Sequence, residues 1–396
     1  VNNMSSKERV EPLHRSPFRA MVQDFSPVWF TWCMNAGIIA ILLHQLPYQF
    51  RGLHVLSTIA FVIDLVLFII FSLIFLTRFA WFKRQAYYEI TDDTNELALG
   101  ACWPIAWQTI SSLTCLIASN ASWGGHAFTL VGYVMWWIGT GWTVAYLLFT
   151  FITMIRRHNV AKQKLPPTIV IPAVAVSTAA TTGGLIAIYS DNISARLAVP
   201  IIIVSFMMVG VGVFMAIMLF TLLLHNLFVD GWPAPDNITS MWMFVGPMGQ
   251  GAAAIQLLGS AAHTYGRFAG YNKGTFLTET AAAPLDVACI FFALMLTGMG
   301  TIFGLIAFYA MIEVAWKRQL KWHLTWNSII FPTGTLTTSF LLFSIEMDSP
   351  AFRAVTTALV ILLVLVFLLN VGFTFWNVAK GELLIVRKNP RASHVD

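Results

Sequence analysis

The chain has 396 residues, of which 58% are hydrophobic and only 10% charged, and its mean hydropathy is +0.73. Soluble globular domains carry about 25% charged residues, so this composition excludes a soluble enzyme and fits one polytopic membrane domain. The net charge of +5 gives no pointer to nucleic acid, because the basic residues fall in loops and tails between apolar stretches of bilayer-crossing length.

Taken in chain order, the apolar runs predict ten transmembrane helices, over 25–46, 54–77, 97–119, 126–154, 166–189, 198–226, 239–263, 285–316, 324–346 and 352–379. The expected organisation is a tail over 1–24, a ten-helix membrane domain over 25–379 and a second tail over 380–396. Ten is even, so both termini share a side. Eighteen of the 23 Lys and Arg lie on that side, and the opposite loops hold Arg51, Arg196, Arg267, Lys273 and Arg353. The positive-inside bias then places both tails in the cytosol. The first 24 residues are too polar for a cleavable leader, so the first span is expected to act as its own insertion signal.

Cys33, Cys102, Cys115 and Cys289 fall inside apolar runs without paired spacing, which predicts buried thiols, no disulfide and no metal site. Sequons occur at Asn3, Asn120, Asn192 and Asn237. Those at Asn120 and Asn192 fall on the outer side in short loops, where a turn-forming Asn is the expected role. Trp29, Trp32, Trp136, Trp137, Trp232, Trp242, Trp316 and Trp322 lie near span ends, as an interfacial belt would.

A fivefold repeat underlies the pattern. Each odd-numbered span carries a proline, at Pro27, Pro104, Pro172, Pro247 and Pro332, and the odd spans are richer in small and polar residues. Polar side chains at bilayer depth are tolerated against protein or a watered cavity. The expected fold is therefore all-α, with five tandem hairpins, proline-bent odd helices lining a central pore and even helices outside.

Helical phase sharpens the expectation. Thr31 and Asn35 are four apart; Gln108, Ser111, Ser112 and Cys115 share a face, as do Thr178, Thr181, Thr182 and Leu185, and Phe331, Thr335 and Thr338. A bulky ring on a hydroxyl stripe suits a steric plug in a narrow pore, while ordinary helix packing is the alternative reading. No Lys or Arg lies deep in any span, so attraction for an anion must come from dipoles and from Thr, Asn and Gln donors. Asp64, central in the second span, is either a proton-coupling site or a hydrogen bond to a neighbouring helix. Gly-rich phosphate loops and catalytic triads are absent from the sequence, so neither ATP, another cofactor nor enzymatic activity is expected.

Phe25-Ser-Pro-Val-Trp-Phe30, followed by Met34-Asn-Ala-Gly37, resembles the opening motif of the tellurite-resistance/dicarboxylate transporter family. That family includes plant slow anion channels, yeast malate transporters and fungal sulfite efflux transporters. Phe331-Pro332 resembles the family's gating phenylalanine before proline, and Gly246-Pro-Met-Gly-Gln250 is most similar to the fungal sulfite exporters. The resemblance implies export of sulfite or bisulfite across the plasma membrane by a homotrimer embedded in lipid, with one pore per protomer. In this reading Phe331 obstructs the path beside Pro332; Asn35, Gln108, Gln250 and Thr335 contact the anion, and Thr181 and Thr338 lie along the same pathway. The family's first-span motif reads Met-Gly-Thr-Gly, and here Asn35-Ala36 replaces the Gly-Thr pair, offering an amide donor instead of a hydroxyl. A malate or dicarboxylate carrier of the same fold, and a membrane receptor that moves nothing, are the alternatives.

Overall fold

The computed structural model describes residues 17–158, 165–381 and 383; most of both expected tails, and the sequon at Asn3, lie outside these. The described chain is helical, with one isolated bridge between Lys273 and Leu277. It begins with α1 (Pro17–Gln23), a 3-10 turn (Pro27–Trp29), α2 (Phe30–Gln45), α3 (Leu53–Trp81), α4 (Lys83–Asp92) and α5 (Thr94–Leu99). Then come α6 (Cys102–Leu113), extended by a π-helical turn (Thr114–Ala118), and α7 (Gly125–Arg157). A 3-10 turn (Pro167–Val170) opens α8 (Ile171–Tyr189), and α9 (Ala195–Asp230) follows. A longer 3-10 segment (Pro235–Phe244) opens α10 (Val245–Ala262), before α11 (Arg267–Tyr271) and α12 (Glu279–Trp316). A last one (Leu324–Ile329) opens α13 (Ile330–Glu346), and α14 (Pro350–Ala379) ends the described fold.

Burial separates two classes of long helix. The apolar part of Pro167–Tyr189 is 100% buried, against 11% for Leu53–Trp81 and 22% for Pro350–Ala379. Helices α2, α6, α8, α10 and α13 are buried nearly all round, and they touch in that order and back to α2, closing a ring of five. Outside the ring, α3, α7, α9, α12 and α14 each pack on the inner helix that precedes them in sequence. Their outward faces expose large apolar side chains, such as Val55, Leu73, Phe291, Leu305 and Leu368, a surface that belongs against lipid.

Among the described residues, nine helices are long and apolar enough to cross a membrane. Helix α10 is not one of them, although it is fully buried: four glycines, two glutamines and Ser260 dilute its apolarity. The small residues have a packing reason. A Cβ at Gly249 would lie 2.4 Å from the Leu336 backbone nitrogen, and one at Gly334 would lie 2.7 Å from Ile38 Cγ1, so α10, α13 and α2 approach as only glycine allows. Hydroxyls stitch the other joints: Ser112 Oγ donates to Thr182 Oγ1 at 3.0 Å, and Thr181 Oγ1 to the Gln250 carbonyl at 3.2 Å. At the far end of α8, Arg267 donates from Nε to the Ala187 carbonyl at 2.9 Å, a cation at a helix C-terminus. Burial lowers the Arg267 pKa.

Two sequence expectations need correction. The repeated prolines are not mid-helix bends. Pro104, Pro247 and Pro332 are the third residues of α6, α10 and α13, and Pro172 is the second of α8. A first-turn proline forfeits no intrahelical bond; in α8, α10 and α13 it follows the switch from a 3-10 lead-in to α-helix. The aromatic belt is also smaller than expected. Trp136 is fully buried and donates to the Ala179 carbonyl at 2.7 Å, and Trp29 and Trp32 are buried too, whereas Trp316 is 87% exposed. Phe25 and Phe30 sit in an aromatic cluster with Phe71, Phe75 and Trp103, so the opening motif packs α2 onto α3 and α6.

The four cysteines are buried. Asn120 donates to the Cys115, Leu116 and Tyr189 carbonyls, and Asn192 adopts φ +50°, the left-handed turn geometry that Asn tolerates. Residues 17–23, in the expected tail, form a helix against α3, with Phe18 edge-on to Trp81.

Candidate functional site

Because successive long helices alternate in direction, all five inner helices start at one end of the ring. A cavity of about 530 Å³ opens there. Much of its wall comes from the lead-ins to the inner helices, with Thr31, Asn95, Thr168, Ser240 and Asn327 among the lining residues. The end of α9 closes the remaining side through Leu223 to Gly231. Among the described residues, Asp230 is the one charged residue in the wall; the rest is amide, hydroxyl and apolar. Helix N-termini carry partial positive charge and unpaired N–H groups, an arrangement able to attract a small anion.

The floor is built by two 3-10 segments laced side chain to backbone. Thr239 Oγ1 donates to the Thr325 carbonyl at 3.1 Å, and Ser328 Oγ to the Thr239 carbonyl at 3.0 Å. Thr31 lines the cavity, and one turn deeper Asn35 donates from Nδ2 to the Asn327 carbonyl at 3.0 Å. The sequence phase of Thr31 and Asn35 thus corresponds to a real column, although Asn35 itself is fully buried behind the floor.

Phe331 is 4% exposed and lies one turn past Asn327, in the first turn of α13 beside Pro332. Beyond it, Thr335 Oγ1 donates to the Gly246 carbonyl at 3.2 Å and the Pro332 carbonyl at 2.7 Å. Thr338 Oγ1 donates to the Gly334 carbonyl at 3.0 Å. Thr181 is engaged with α10 as described, and Gln250 is buried on that helix. These residues are brought together in the ring, with their hydroxyls turned to backbone carbonyls.

Gln108 stands apart. A Cβ at Gly139 would lie 2.7 Å from Gln108 Nε2, so its side chain lies against α7, where both amide atoms are buried without a partner. Asp64 reaches inward from α3 and is fully buried. Its Oδ2 accepts from Thr109 Oγ1 at 3.1 Å and would lie 2.7 Å from a Cβ at Gly37, while Oδ1 has no partner. Neither residue lines the cavity. Sequence reasoning missed Asn327, Ser240, Asn95 and Thr168. Asn327, Ser240 and Thr168 sit in lead-in segments read as span ends and Asn95 just before one, and for Asn327 and Thr168 the usable signal was a polar residue five or four positions before a repeated proline.

The family described as SLAC1, voltage-dependent anion channel, matches residues 24–375. The chain belongs to this family. The kinship expected with tellurite-resistance/dicarboxylate transporters, and within them with fungal sulfite exporters, therefore holds. Among similar SLAC1-family relatives, the sulfite efflux pump of Arthroderma benhamiae is 26% identical over 362 residues, 91% of this chain and 93% of that protein. The sulfite efflux pump of Saccharomyces cerevisiae is 21% identical over 360 residues, 80% of this chain and 78% of its own. The malic acid transport protein of Schizosaccharomyces pombe is 20% identical over 339 residues, 85% of this chain and 74% of its own. The chain is thus a multi-pass membrane protein of an anion transporter family.

Proposed function

We propose that the chain exports sulfite or bisulfite across the plasma membrane, along a path enclosed by the five inner helices. The observation that carries this reading is the closed inner ring whose five starts share one nearly uncharged, donor-lined cavity. In it, the chain crosses the bilayer ten times as five tandem hairpins, with α10 spanning as the seventh inside the protein rather than against lipid. Both termini face the cytosol, so the cavity is the cytosolic mouth. Phe331 closes the path just past the cavity floor, next to Pro332, and Thr335, Thr338, Thr181 and Gln250 border the passage beyond it. Asn35 shapes the floor through the Asn327 carbonyl. Asp64 is the site for proton coupling, should flux respond to a proton gradient. Three protomers associate through lipid-facing helices, each with its own path.

The sulfite preference rests on the sulfite efflux relatives and on Gly246-Pro-Met-Gly-Gln250. The malic acid transport relative supports a second reading, a dicarboxylate carrier. The deciding experiment is uptake of labelled sulfite and malate by liposomes holding purified protein. Sulfite uptake well above malate supports the export reading; malate uptake above sulfite reverses the two, and no uptake of any anion removes both.

A further inference from the structure

Four residues in a line connect the lipid-facing helix α14 to the cavity floor. Trp322 Nε1 donates to Asn370 Oδ1 at 3.1 Å, and Asn370 Nδ2 donates to Asn327 Oδ1 at 3.3 Å. An indole N–H is a donor only, so it fixes which end of the Asn370 amide faces it, and Asn370 in turn fixes Asn327. The Asn327 carbonyl on the backbone is already taken by Asn35 Nδ2. What the line leaves over is the Asn327 NH2 group, which is buried and has no acceptor among the described residues. Asn327 is 2% exposed and is part of the cavity wall.

A second donor shares that wall. Ser240 Oγ is buried without a partner and lines the same cavity from the 3-10 segment that opens α10. The two segments are held in register by the bonds of Thr239 and Ser328, so both donors stand on one rigid floor. A buried donor left without an acceptor is costly, and two on the floor of one cavity, at the convergence of five helix N-termini, call for a shared acceptor. We infer that Asn327 Nδ2 and Ser240 Oγ form a binding subsite for a small oxyanion, which accepts one hydrogen bond from each before passing Phe331. Trp322 and Asn370 are positioning residues: they hold the Asn327 amide with its NH2 available.

This inference rests on the transport reading above, and its test separates the two. In Asn327→Asp, the oxygen that accepts from Asn370 is kept and the NH2 is replaced by a second oxygen. Sulfite flux is measured against cytosolic-side sulfite concentration in liposomes, with thermal unfolding to report folding. Asn327→Asp is expected to raise the half-saturating sulfite concentration about tenfold or more, and Ser240→Ala about threefold to tenfold, as loss of a hydrogen bond to a charged group does. Trp322→Phe lets both amides turn and should raise half-saturation severalfold while maximal flux stays within about twofold, a split that a purely structural role would not give. Half-saturation unchanged in a folded, transporting Ser240→Ala together with Asn327→Asp, or with Asn327→Ser if the aspartate does not fold, overturns the subsite. Absence of flux in the unaltered protein instead overturns the transport reading.

Discussion

The starting end of the inner ring and the stretch just past Phe331 use the same kinds of polar residue to different effect. At the starting end, Asn327 and Ser240 keep donors that no protein group accepts, beside a cavity of about 530 Å³. Past Phe331, Thr335 and Thr338 give their hydroxyls to backbone carbonyls, and Gly249 and Gly334 bring neighbouring helices to van der Waals contact. In the proposed function, availability rather than abundance of polar groups distinguishes a place that would hold an anion from one that would let it pass. The starting end leaves donors unsatisfied, while the tight stretch past it gives up side-chain volume for close, self-satisfied packing.

Three substitutions probe that contrast. The largest effect is expected in the tight stretch. Gly249→Val adds three carbons where a Cβ alone would lie 2.4 Å from the Leu336 nitrogen, and overpacking of this kind costs about 1–3 kcal/mol or more. A clear fall in unfolding temperature and in recovered protein is the expected outcome, and an unchanged melting curve would mean the α10–α13 contact is looser than described.

Asp64→Asn comes next. The amide fits the space between Gly37 and Thr109 but carries no exchangeable carboxyl proton. Flux driven by a sulfite gradient should persist, while any acceleration by an imposed proton gradient is lost. Full retention of that acceleration in the variant would reduce Asp64 to a structural hydrogen bond. The smallest effect is expected from Thr338→Val, whose hydroxyl bonds within its own helix. A change of no more than about twofold in flux, consistent with a net contribution of about 0.5–1.5 kcal/mol for an ordinary hydrogen bond, would place it in the wall. A tenfold loss would make it a direct contact with the anion.

Much of this arrangement was legible in the sequence. Apolar length and the proline repeat located the helices to within a few residues, since both follow from bilayer thickness and the helix first turn. The phase of Thr31 with Asn35, and of Phe331 with Thr335 and Thr338, picked out residues that are buried on the inner helices. What stayed hidden depends on partners distant in sequence. Gln108 shares a stripe with Ser112, yet Gly139 draws its side chain outward toward α7. Trp136 looked interfacial until the Ala179 carbonyl took its N–H. Asn327 gained its role only through Trp322 and Asn370, 43 residues apart from Asn327 in the case of Asn370. The 3-10 lead-ins carry no periodic signal, and they supply much of the cavity wall.

The central claim is that anions cross inside the ring of five and that Phe331 is the obstruction. The most direct test compares anion current through purified protein in planar bilayers or liposomes for the unaltered chain and for Phe331→Ala, with sulfite as the permeant anion. Removing the ring should raise sulfite current about tenfold or more, equivalent to lowering the barrier by about 1.4 kcal/mol, with thermal stability largely retained. Current that stays equal or falls in a folded, membrane-inserted variant would contradict a path through the ring at this position.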